Sequence, residues 1–391
     1  MKKLIIFLLF IGSLYATSDF QSNKTCKGCH PKIYAEYTSS AHKKSSIFED
    51  SIHKAVWDMH PSKAKNKYTC NECHSPADTR ITKALADEKN AVPIKNAAQV
   101  DEAVSCVYCH SIKNIEEHAN KVNDKNILVN NDKKRPTLFA ASKEKRGTKV
   151  NYETKTSFMG MFKSTTGSPY HDIDYSNKTF YTGKMCMGCH ARFENEHNMD
   201  ICKIEIDGAK NEEQNCITCH MPQVKGSATT IVISKTHTFH GFAGTKNKPK
   251  MLAKYLDFNF VTTNSGFDIS LTNQASHKLL VHTFRLAKLN IRIQRGTKTT
   301  KLKSESFVRT LGKDGKPTLP WLATEVVKDN MLKAGETRTI KYDTAVKSGD
   351  IVEVEFGYYL VDPQLHKELN LENNEEATKF TILKTKFFTV K

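Results

Sequence analysis

One five-residue pattern, Cys-x-x-Cys-His, recurs along this sequence and is the combination of side chains best suited to chemistry. Two thiols about one helical turn apart can add to the two vinyl groups on one edge of a porphyrin. The histidine that follows can then offer an imidazole nitrogen to the iron, which is how a c-type haem is attached. The predicted attachment cysteines are Cys26, Cys29, Cys70, Cys73, Cys106, Cys109, Cys186, Cys189, Cys216 and Cys219, and the predicted proximal ligands are His30, His74, His110, His190 and His220.

A single copy of this pattern would equally describe half of a zinc site or a thioredoxin-like redox pair. Five copies argue against both alternatives, because neither kind of protein needs a histidine after every second cysteine. Every cysteine except Cys202 lies in one of the motifs. The sequence therefore predicts five covalently attached haems c, and Cys202 is read as a small buried residue rather than a reactive thiol.

The first sixteen residues have the features of a secretory signal peptide. Met1-Lys2-Lys3 is followed by the apolar run Leu4–Ile11 and then by small and neutral residues that end near Ala16. The alternative is a membrane anchor, but the run is shorter than the about 20 apolar residues that span a bilayer. We therefore expect residues 1–16 to be removed and the mature protein to have no transmembrane segment. The expected location is the bacterial periplasm, where haem is attached to such motifs.

The composition is polar and basic. The chain has 391 residues, a length that allows two or three domains. It carries a net charge of +17 and is 38% hydrophobic, so the N-terminal part is expected to have a core poor in apolar side chains. The apolar faces of the haems are expected to supply part of the missing core. The positive charge would suit nucleic acid, an anionic membrane or acidic proteins. The lysines are scattered and no nucleic-acid motif is present, so the expected partners are periplasmic or membrane-anchored redox proteins.

Two helices are predicted between the first and second motifs. Apolar residues recur at helical spacing after Pro31, and His42 is placed at the end of this helix, 12 residues beyond His30. That spacing is about 18 Å on a continuous helix, so His42 is expected to serve a neighbouring haem. The second pattern runs from Ile47 to Met59. His53 and His60 are seven residues apart and therefore share one of its faces. One is a candidate iron ligand and the other a candidate hydrogen-bond donor to that ligand. The alternative for each is an ordinary exposed or core histidine.

The character of the chain changes after a lysine-rich linker at 246–250. Residues alternate between apolar and polar from there to the C-terminus, with turn signals between the alternating runs, which predicts an antiparallel β-sandwich. The fold class is therefore α+β, with a mostly helical and irregular multihaem domain at 17–245 and the sandwich at 251–391. One short strand is also predicted at Thr229–Ser234. The main sandwich strands are predicted at Tyr255–Val261, Phe267–Leu271, Leu286–Ile293, Thr337–Tyr342, Ile351–Tyr359 and Phe380–Val390.

With these residues in view, the chain resembles the periplasmic multihaem c-type cytochromes related to the cytochrome c-554 type, some of which carry a C-terminal immunoglobulin-like domain. The resemblance rests on three groups of residues and covers most of the chain. The groups are the first motif with Tyr34, Tyr37 and Ser40-Ala41-His42, the last motif with Met221-Pro222 and His237-Thr238-Phe239-His240-Gly241, and the set Asn273, His277 and Arg285.

The resemblance implies distal iron ligands at His42, His237 and His277, and His171 occupies a similar position ahead of its motif. His60 completes the expected distal set, with His53 and His118 as substitutes and His282 as the alternative to His277. Leu279 and Leu280 stand where the family often has a proline. Arg285 is expected to face a haem propionate.

Three functions are consistent with this sequence. The first is electron transfer through mainly bis-histidine haems, which have lower reduction potentials than histidine/methionine haems. The second is reduction of a small nitrogen or sulfur oxyanion at one haem with an open face, with spare histidines such as His240 as proton donors. Pentahaem nitrite reductases usually carry a Cys-x-x-Cys-Lys motif, and all five motifs here end in histidine. The third is a binding module built on the sandwich. Electron transfer is preferred, and catalytic residues are left unassigned.

Overall fold

The computed structural model describes residues 21–95, 102–115, 127–129, 135–157, 162–204 and 212–391. Short helices and small sheets make up the N-terminal part, and larger antiparallel sheets make up the C-terminal part. The predicted α+β class is confirmed. The predicted signal peptide, His118 and the side chain of Cys202 lie outside what the structure describes. None of the helices in the described ranges is long and apolar enough to cross a membrane.

The N-terminal part contains helices of four to nine residues and strands of two to five residues. Short 3-10 helices occur at Pro61–Lys63 and Lys184–Cys186. The helices are α1 (Asn23–Lys27), α2 (Pro31–Ser39), α3 (Ser51–Met59), α4 (Asn71–His74), α5 (Thr79–Ala86), α6 (Cys106–His110), α7 (Thr179–Thr182), α8 (Met187–His190) and α9 (Cys216–His220). The strands are β1 (Ile112–Ile115), β2 (Ile127–Val129), β3 (Thr137–Phe139), β4 (Lys149–Val150), β5 (Glu153–Ser157), β6 (Phe162–Thr166), β7 (Asp172–Asp174), β8 (Arg192–Glu194), β9 (Asp200–Lys203), β10 (Gln223–Lys225) and β11 (Thr236–Thr238).

Both predicted helices form, but with different limits. Helix α2 ends at Ser39 because Ser40 is extended and its hydroxyl accepts a hydrogen bond from the Lys43 amide, so His42 lies in the turn that follows. Helix α3 begins only at Ser51, where the Asp50 carboxylate accepts from the first free amides and caps the helix. His60 is the residue after α3, so it does not share a helix face with His53.

The strand predicted at Thr229–Ser234 is wrong. This segment is the loop between β10 and β11, which pair antiparallel on either side of it. The Ser227 hydroxyl accepts from the Ser234 amide at 3.0 Å and closes the loop from inside. Side-chain hydrogen bonds of this kind compete with strand pairing, which is why an apolar β-branched run here does not form a strand.

The C-terminal part contains two facing sheets. One has the order β12-β13-β20, and the other has the order β15-β14-β21-β22 with β16 also paired to β14. A third, small sheet has the order β18-β17-β19. The strands are β12 (Leu256–Thr262), β13 (Phe267–Asn273), β14 (Leu286–Arg295), β15 (Lys298–Lys301), β16 (Glu305–Phe307), β17 (Arg309–Lys313), β18 (Lys316–Pro317), β19 (Glu325–Asp329), β20 (Thr337–Tyr342), β21 (Ile351–Tyr359) and β22 (Thr381–Thr389). The other elements are α10 (Glu375–Thr378) and 3-10 helices at Pro249–Tyr255, Pro320–Leu322 and Pro363–Leu365.

The main hydrophobic core lies between these sheets. Along β13 the residues alternate between buried and half-buried, and Ile269 and Leu271 are fully enclosed, as the predicted alternation requires. From the other sheet, Leu289 and Ile291 of β14 meet them. The edges of β12 and β22 face each other, and the ammonium groups of Lys384 and Lys386 donate to β12 carbonyl oxygens at that edge. These lysines satisfy carbonyl groups that an edge strand otherwise leaves open to another chain.

The two parts of the chain are in direct contact. Ile52 of α3 belongs to the core between the sheets, and Lys246 forms an ion pair of 2.7 Å with Asp50 at the start of that helix. The Tyr358 hydroxyl of β21 donates to the Thr245 carbonyl at 2.7 Å. The sandwich is therefore packed against the N-terminal part through apolar, ionic and hydrogen-bonding contacts. The limits of the two domains stay a prediction.

Candidate functional site

Each of the five motifs is built on a short helix. Side-chain caps begin some of these helices: Ser105 caps α6, and Asn215 forms a reciprocal capping box with Thr218 at the start of α9. Helices α4 and α8 have no side-chain cap. One turn of helix brings the two thiols of a motif to the same side and the histidine directly after them. The ten motif cysteines are free thiols in this structure.

Four of the five motif histidines are oriented by a backbone carbonyl. The Nδ1–H groups donate to the carbonyl oxygens of other segments, which holds the proton on Nδ1 and leaves the Nε2 lone pair for a metal. This is the orientation that an iron ligand needs. The pairs are His30 with Ala228 at 2.8 Å, His74 with Ser45 at 3.2 Å, His110 with Phe139 at 2.7 Å and His220 with Ala243 at 2.5 Å.

Three motif histidines face a second histidine ring at nearly the same separation. Two metal–imidazole bonds of about 2.0 Å and two half-rings of about 1.2 Å predict ring centroids about 6.4 Å apart when one iron lies between them. The observed centroid separations are close to this value. They are 6.0 Å for His42 and His190, 6.2 Å for His110 and His240, and 6.1 Å for His220 and His277.

The partner histidines carry the protonation that ligation requires. His240 and His277 donate their Nδ1–H groups to the carbonyl oxygens of Thr238 and Lys278, both at 2.7 Å, so their Nε2 lone pairs are open. Burial and the neighbouring His110 lower the pKa of His240 to about 4, and burial with the neighbouring motif histidines lowers that of His42 to about 3. Both rings are therefore neutral near pH 7, as metal binding requires.

One orphaned atom also fits a metal ligand. The Nδ1 atom of His42 is buried and has no hydrogen-bond partner among the described residues. A buried polar nitrogen without a partner is costly. A bond to iron from this imidazole would provide a reason to keep it there. The residues present thus fit haem iron on three counts: ring separation, protonation and one unsatisfied nitrogen.

The structure gives His237 a different position from the one expected of a ligand. Its Nδ1 lies 2.8 Å from the Gly226 carbonyl, and its Nε2 lies 2.9 Å from a carboxylate oxygen of Glu36. Both ring nitrogens are thus engaged by oxygen atoms of the protein, and neither is left open for a metal. The other Glu36 oxygen accepts from the His240 amide at 2.9 Å. It is His240, three residues on, that faces a motif histidine.

His60, from the expected distal set, and His282, the alternative to His277, use their nitrogens in a different way. The Nδ1 atoms of His60 and His282 each accept a hydrogen bond from a backbone amide, of Ser62 and Phe284, at 3.2 Å. A neutral ring that accepts at Nδ1 carries its proton on Nε2, which removes the Nε2 lone pair. The ring of His60 lies near Trp57 and Trp321. This geometry does not favour either histidine as an Nε2 ligand.

The surroundings of His30 and His74 differ from those of the other three motif histidines. Among the described residues, neither ring faces another histidine at about 6 Å. His53 lies only 3.9 Å from His74, centroid to centroid, too close for an iron between the rings. His171 donates from Nδ1 to the Asp172 carbonyl at 3.3 Å, and its pKa is lowered by burial and by the proximity of His30 and His110. His171 is thus near the first motif with its Nε2 open.

The motifs are also close to one another. The thiols of Cys26 and Cys106 lie within hydrogen-bonding reach, which lowers the pKa of Cys26 and raises that of Cys106. Cys186 and Cys216 are related in the same way. Motif one therefore adjoins motif three, and motif four adjoins motif five. Tyr108, whose buried hydroxyl is near thiols of motifs two, three and four, lies at their junction.

A metal ion held by side chains alone is not indicated. Among the described residues, no three His, Cys, Asp or Glu side chains converge as they do around zinc. The cysteine pairs and histidines are instead distributed as five separate Cys-x-x-Cys-His units.

Comparison with known proteins agrees with this geometry. Residues 25–111, which include the first three motifs, match the family model described as cytochrome c554 and c-prime. This segment is therefore similar to multihaem c-type cytochromes. The same fold occurs in the crystal structure of a penta-heme cytochrome c552 from Thermochromatium tepidum, with a TM-score of 0.69 and 19% sequence identity. The match covers 95% of this chain and 99% of that one. No curated protein sequence matches the chain.

The similarity of this segment agrees with the haem chemistry that the motifs predict. The alignment of folds extends through the β-rich part, so the relative in the solved structure also carries this part. Sequence reasoning did not identify Glu36, which contacts His237. It also did not identify Tyr108, which lies at the junction of three motifs. Neither residue belongs to a motif, and no local signal distinguishes them from other acidic and aromatic residues.

Proposed function

We propose that this cytochrome carries five haems c and passes electrons between redox partners in the periplasm. The observation that carries the proposal is the set of three histidine pairs at 6.0–6.2 Å. An iron with two histidine ligands has no open position for a substrate, which suits an electron carrier. The adjacency of motifs one and three, and of four and five, favours transfer between neighbouring haems.

The proposed distal ligands differ from the expected set at one or two positions. His42, His240 and His277 are assigned to the haems of motifs four, three and five because their rings face His190, His110 and His220. His171 is proposed for the haem of motif one. These assignments connect distant segments: His277 follows β13 in the sandwich, yet faces a motif histidine of the N-terminal part.

The test is a joint measurement on the purified holoprotein. Intact mass should show five haems on a chain that lacks residues 1–16. Electron paramagnetic resonance of the oxidised protein should show low-spin haems, and a potentiometric titration should show several low-potential steps. A mass with four haems or fewer, from a host able to mature such proteins, would contradict the haem count. Predominantly high-spin iron would contradict bis-histidine electron transfer.

A second function, reduction of a small nitrogen or sulfur oxyanion, is favoured by the surroundings of His74. No described histidine faces this ring at the separation of the other pairs. His282 is close by, and burial together with the nearby Arg285 and His74 lowers its pKa to about 3. If the haem of motif two has an open face, the reduced protein will bind carbon monoxide and will be reoxidised by nitrite or hydroxylamine. A reduced protein inert to all three would exclude this function.

A further inference from the structure

The loop between β10 and β11 presents three large apolar side chains to solvent. Ile231, Val232 and Ile233 are 61%, 65% and 77% exposed, and they are consecutive in the chain. Hydrogen bonds from the Gly226 amide to the Lys235 carbonyl at 2.8 Å, and within the loop, hold its base closed. We call these three residues the apolar tip. Contiguous exposed apolar side chains indicate an interaction site more often than isolated ones do.

The loop is attached to the first haem motif. The Ala228 carbonyl accepts from Nδ1 of His30 at 2.8 Å, and the Thr230 amide donates to the Cys29 carbonyl at 2.9 Å. Ala228 therefore lies on the side of His30 opposite to Nε2, the nitrogen that would bind iron. A partner that covers the apolar tip would be placed next to the haem of motif one.

The surroundings of the apolar tip are positively charged. Residues 21–35 and 221–247 contain no aspartate or glutamate. Their five lysines closest to the motif and the loop are all exposed, and the side chain of Lys32 lies against Gly226 at the base of the loop. Two carboxylates border these segments. Glu36 is engaged by His237 and the His240 amide, and Glu102 accepts from the Ser22 hydroxyl and the Asn23 amide. We call the following residues the basic rim: Lys24, Lys27, Lys32, Lys225 and Lys235.

We propose that the apolar tip and the basic rim dock an acidic redox protein, which exchanges electrons with this cytochrome at the haem of motif one. An apolar centre with a polar rim is the usual anatomy of a protein interface, and a ring of lysines steers a partner with carboxylates around its own apolar centre. One electron leaves the partner, which is oxidised, and one ferric haem is reduced, with no bond made or broken. The inference rests on the proposed function and identifies its partner.

An anionic membrane surface is the other occupant that apolar and basic residues can fit. Position favours the protein partner, because the tip is tied to the haem motif where electrons would enter or leave. The apolar area also favours it. Stable membrane anchoring usually needs two signals, and one fatty acyl chain of about fourteen carbons gives only marginal binding. Three side chains at a loop tip offer no more apolar surface than that.

The test uses reduced flavodoxin, an acidic one-electron donor, with the holoprotein in a stopped-flow instrument at low and high ionic strength. One variant is Ile231→Ser/Val232→Ser/Ile233→Ser, and the other is Lys27→Glu/Lys32→Glu. The matched controls in the sandwich are Ile382→Ser/Phe387→Ser and Lys298→Glu/Lys301→Glu, which also change exposed residues. Calorimetric titration with oxidised flavodoxin measures binding without electron transfer.

We expect charge reversal at the rim to slow reduction roughly tenfold at low ionic strength, with most of the difference lost in high salt. The tip variant should bind oxidised flavodoxin several-fold more weakly at both ionic strengths. Both controls should behave as the unaltered protein. Equal rates and affinities in all five proteins would overturn the proposed surface.

A small cationic donor, the methyl viologen radical, separates failure of the surface from failure of the function. If viologen reduces every protein and flavodoxin does not distinguish them, the surface is wrong and electron transfer stands. If viologen reduces none, the proposed function itself fails. Two other results would also overturn the proposed surface. One is a changed haem spectrum in the tip variant, which would place the tip against the porphyrin. The other is binding of the protein to vesicles of phosphatidylserine and phosphatidylcholine that is lost only in the tip variant.

Discussion

The N-terminal and C-terminal parts of this cytochrome are held together in different ways. Between the sheets, residues such as Leu289, Ile291 and Val354 are fully enclosed and form one continuous apolar core. The N-terminal part has only small clusters, the larger of which joins four buried residues, Ile47, Trp57, Tyr68 and Ile81. A domain of that length normally needs a much larger apolar core. We therefore expect the N-terminal part to depend on bound haem for stability, and the sandwich to depend on its own side chains.

The comparison also separates two kinds of histidine. In the sandwich, buried His366 donates from Nε2 to the Val361 carbonyl and has an ordinary structural role. His277, at the end of the sandwich nearest the motifs, keeps Nε2 open and faces His220. A histidine that serves iron is thus recognised by what its second nitrogen does and by the ring opposite, rather than by burial.

Removal of the haems should produce the largest difference in stability between the two parts. If all ten motif cysteines are changed to serine, residues 21–245 should lose protease resistance and near-ultraviolet circular dichroism, because cofactor binding energy is folding energy in such domains. Residues 256–391 should remain as the resistant fragment, and mass spectrometry of the digest would identify it. A compact, protease-resistant N-terminal part without haem would contradict this expectation.

Opening one iron should have the next largest effect. His277→Ala should convert one low-spin ferric haem to high-spin and create one new carbon monoxide site after reduction, measured by electron paramagnetic resonance and difference spectra. His366→Ala is the matched control, and His282→Ala should also leave the spin state unchanged. A fully low-spin His277→Ala protein would show that no bond from His277 to iron joins the sandwich to the N-terminal part.

A cavity in the sandwich core should destabilise the sandwich and leave the N-terminal part unchanged. Leu289→Ala should lower the free energy of unfolding of the sandwich by about 2–5 kcal/mol, the usual range for such truncations. Haem spectra at room temperature should not change. Urea unfolding followed by proteolysis of the sandwich and by Soret absorption would report the two parts separately. The exposed Val261→Ala should shift neither curve, and a parallel loss in both curves would show that the two parts unfold as one unit.

The contact between Glu36 and His237 sharpens the account of the distal ligands. Glu36→Gln replaces the carboxylate that contacts Nε2 of His237 and accepts from the His240 amide, at a cost of roughly 1–3 kcal/mol. We expect a broadened or partly high-spin signal from one haem, because His240 is held less firmly. Glu49→Gln, at an exposed carboxylate, should have no effect. A high-spin haem in His237→Gln as strong as that in His240→Ala would instead make His237 the ligand.

The smallest effect should be a decrease in the stability of the sandwich as the pH is lowered. Hydrogen bonds from Arg295 lower the pKa of Asp350 from its ordinary value of 3.8 to about 2. A carboxylate with a lowered folded-state pKa adds stability that is present above pH 3.8 and is lost as the pH falls toward 2. The difference in urea midpoint between the unaltered protein and Arg295→Gln should therefore be constant near pH 7 and vanish near pH 2. A difference that persists at pH 2 would assign another role to Arg295.

Much of this molecule could be predicted because the relevant physics is local in the chain. Thioether attachment needs two cysteines and a histidine within five residues, so all five motifs are visible in the sequence. Alternation along Phe267–Leu271 and Leu286–Ile293 predicted strands that the structure confirms, because one face of each strand must be buried. The end of α2 and the loop at 229–234 were predicted wrongly, since side-chain hydrogen bonds of Ser40 and Ser227 compete with the pattern.

The pairing of histidines was decided by the tertiary structure. His237 and His240 are three residues apart, and nothing in their local sequence shows which one approaches a motif. Glu36, about two hundred residues earlier, engages Nε2 of His237, and the Gly226 carbonyl engages its Nδ1, whereas the ring of His240 lies opposite that of His110. Axial ligation joins residues that are distant in the chain, so it depends on how the segments pack. The sequence alone determined where haem is attached, and only the folded chain determined which imidazole lies opposite.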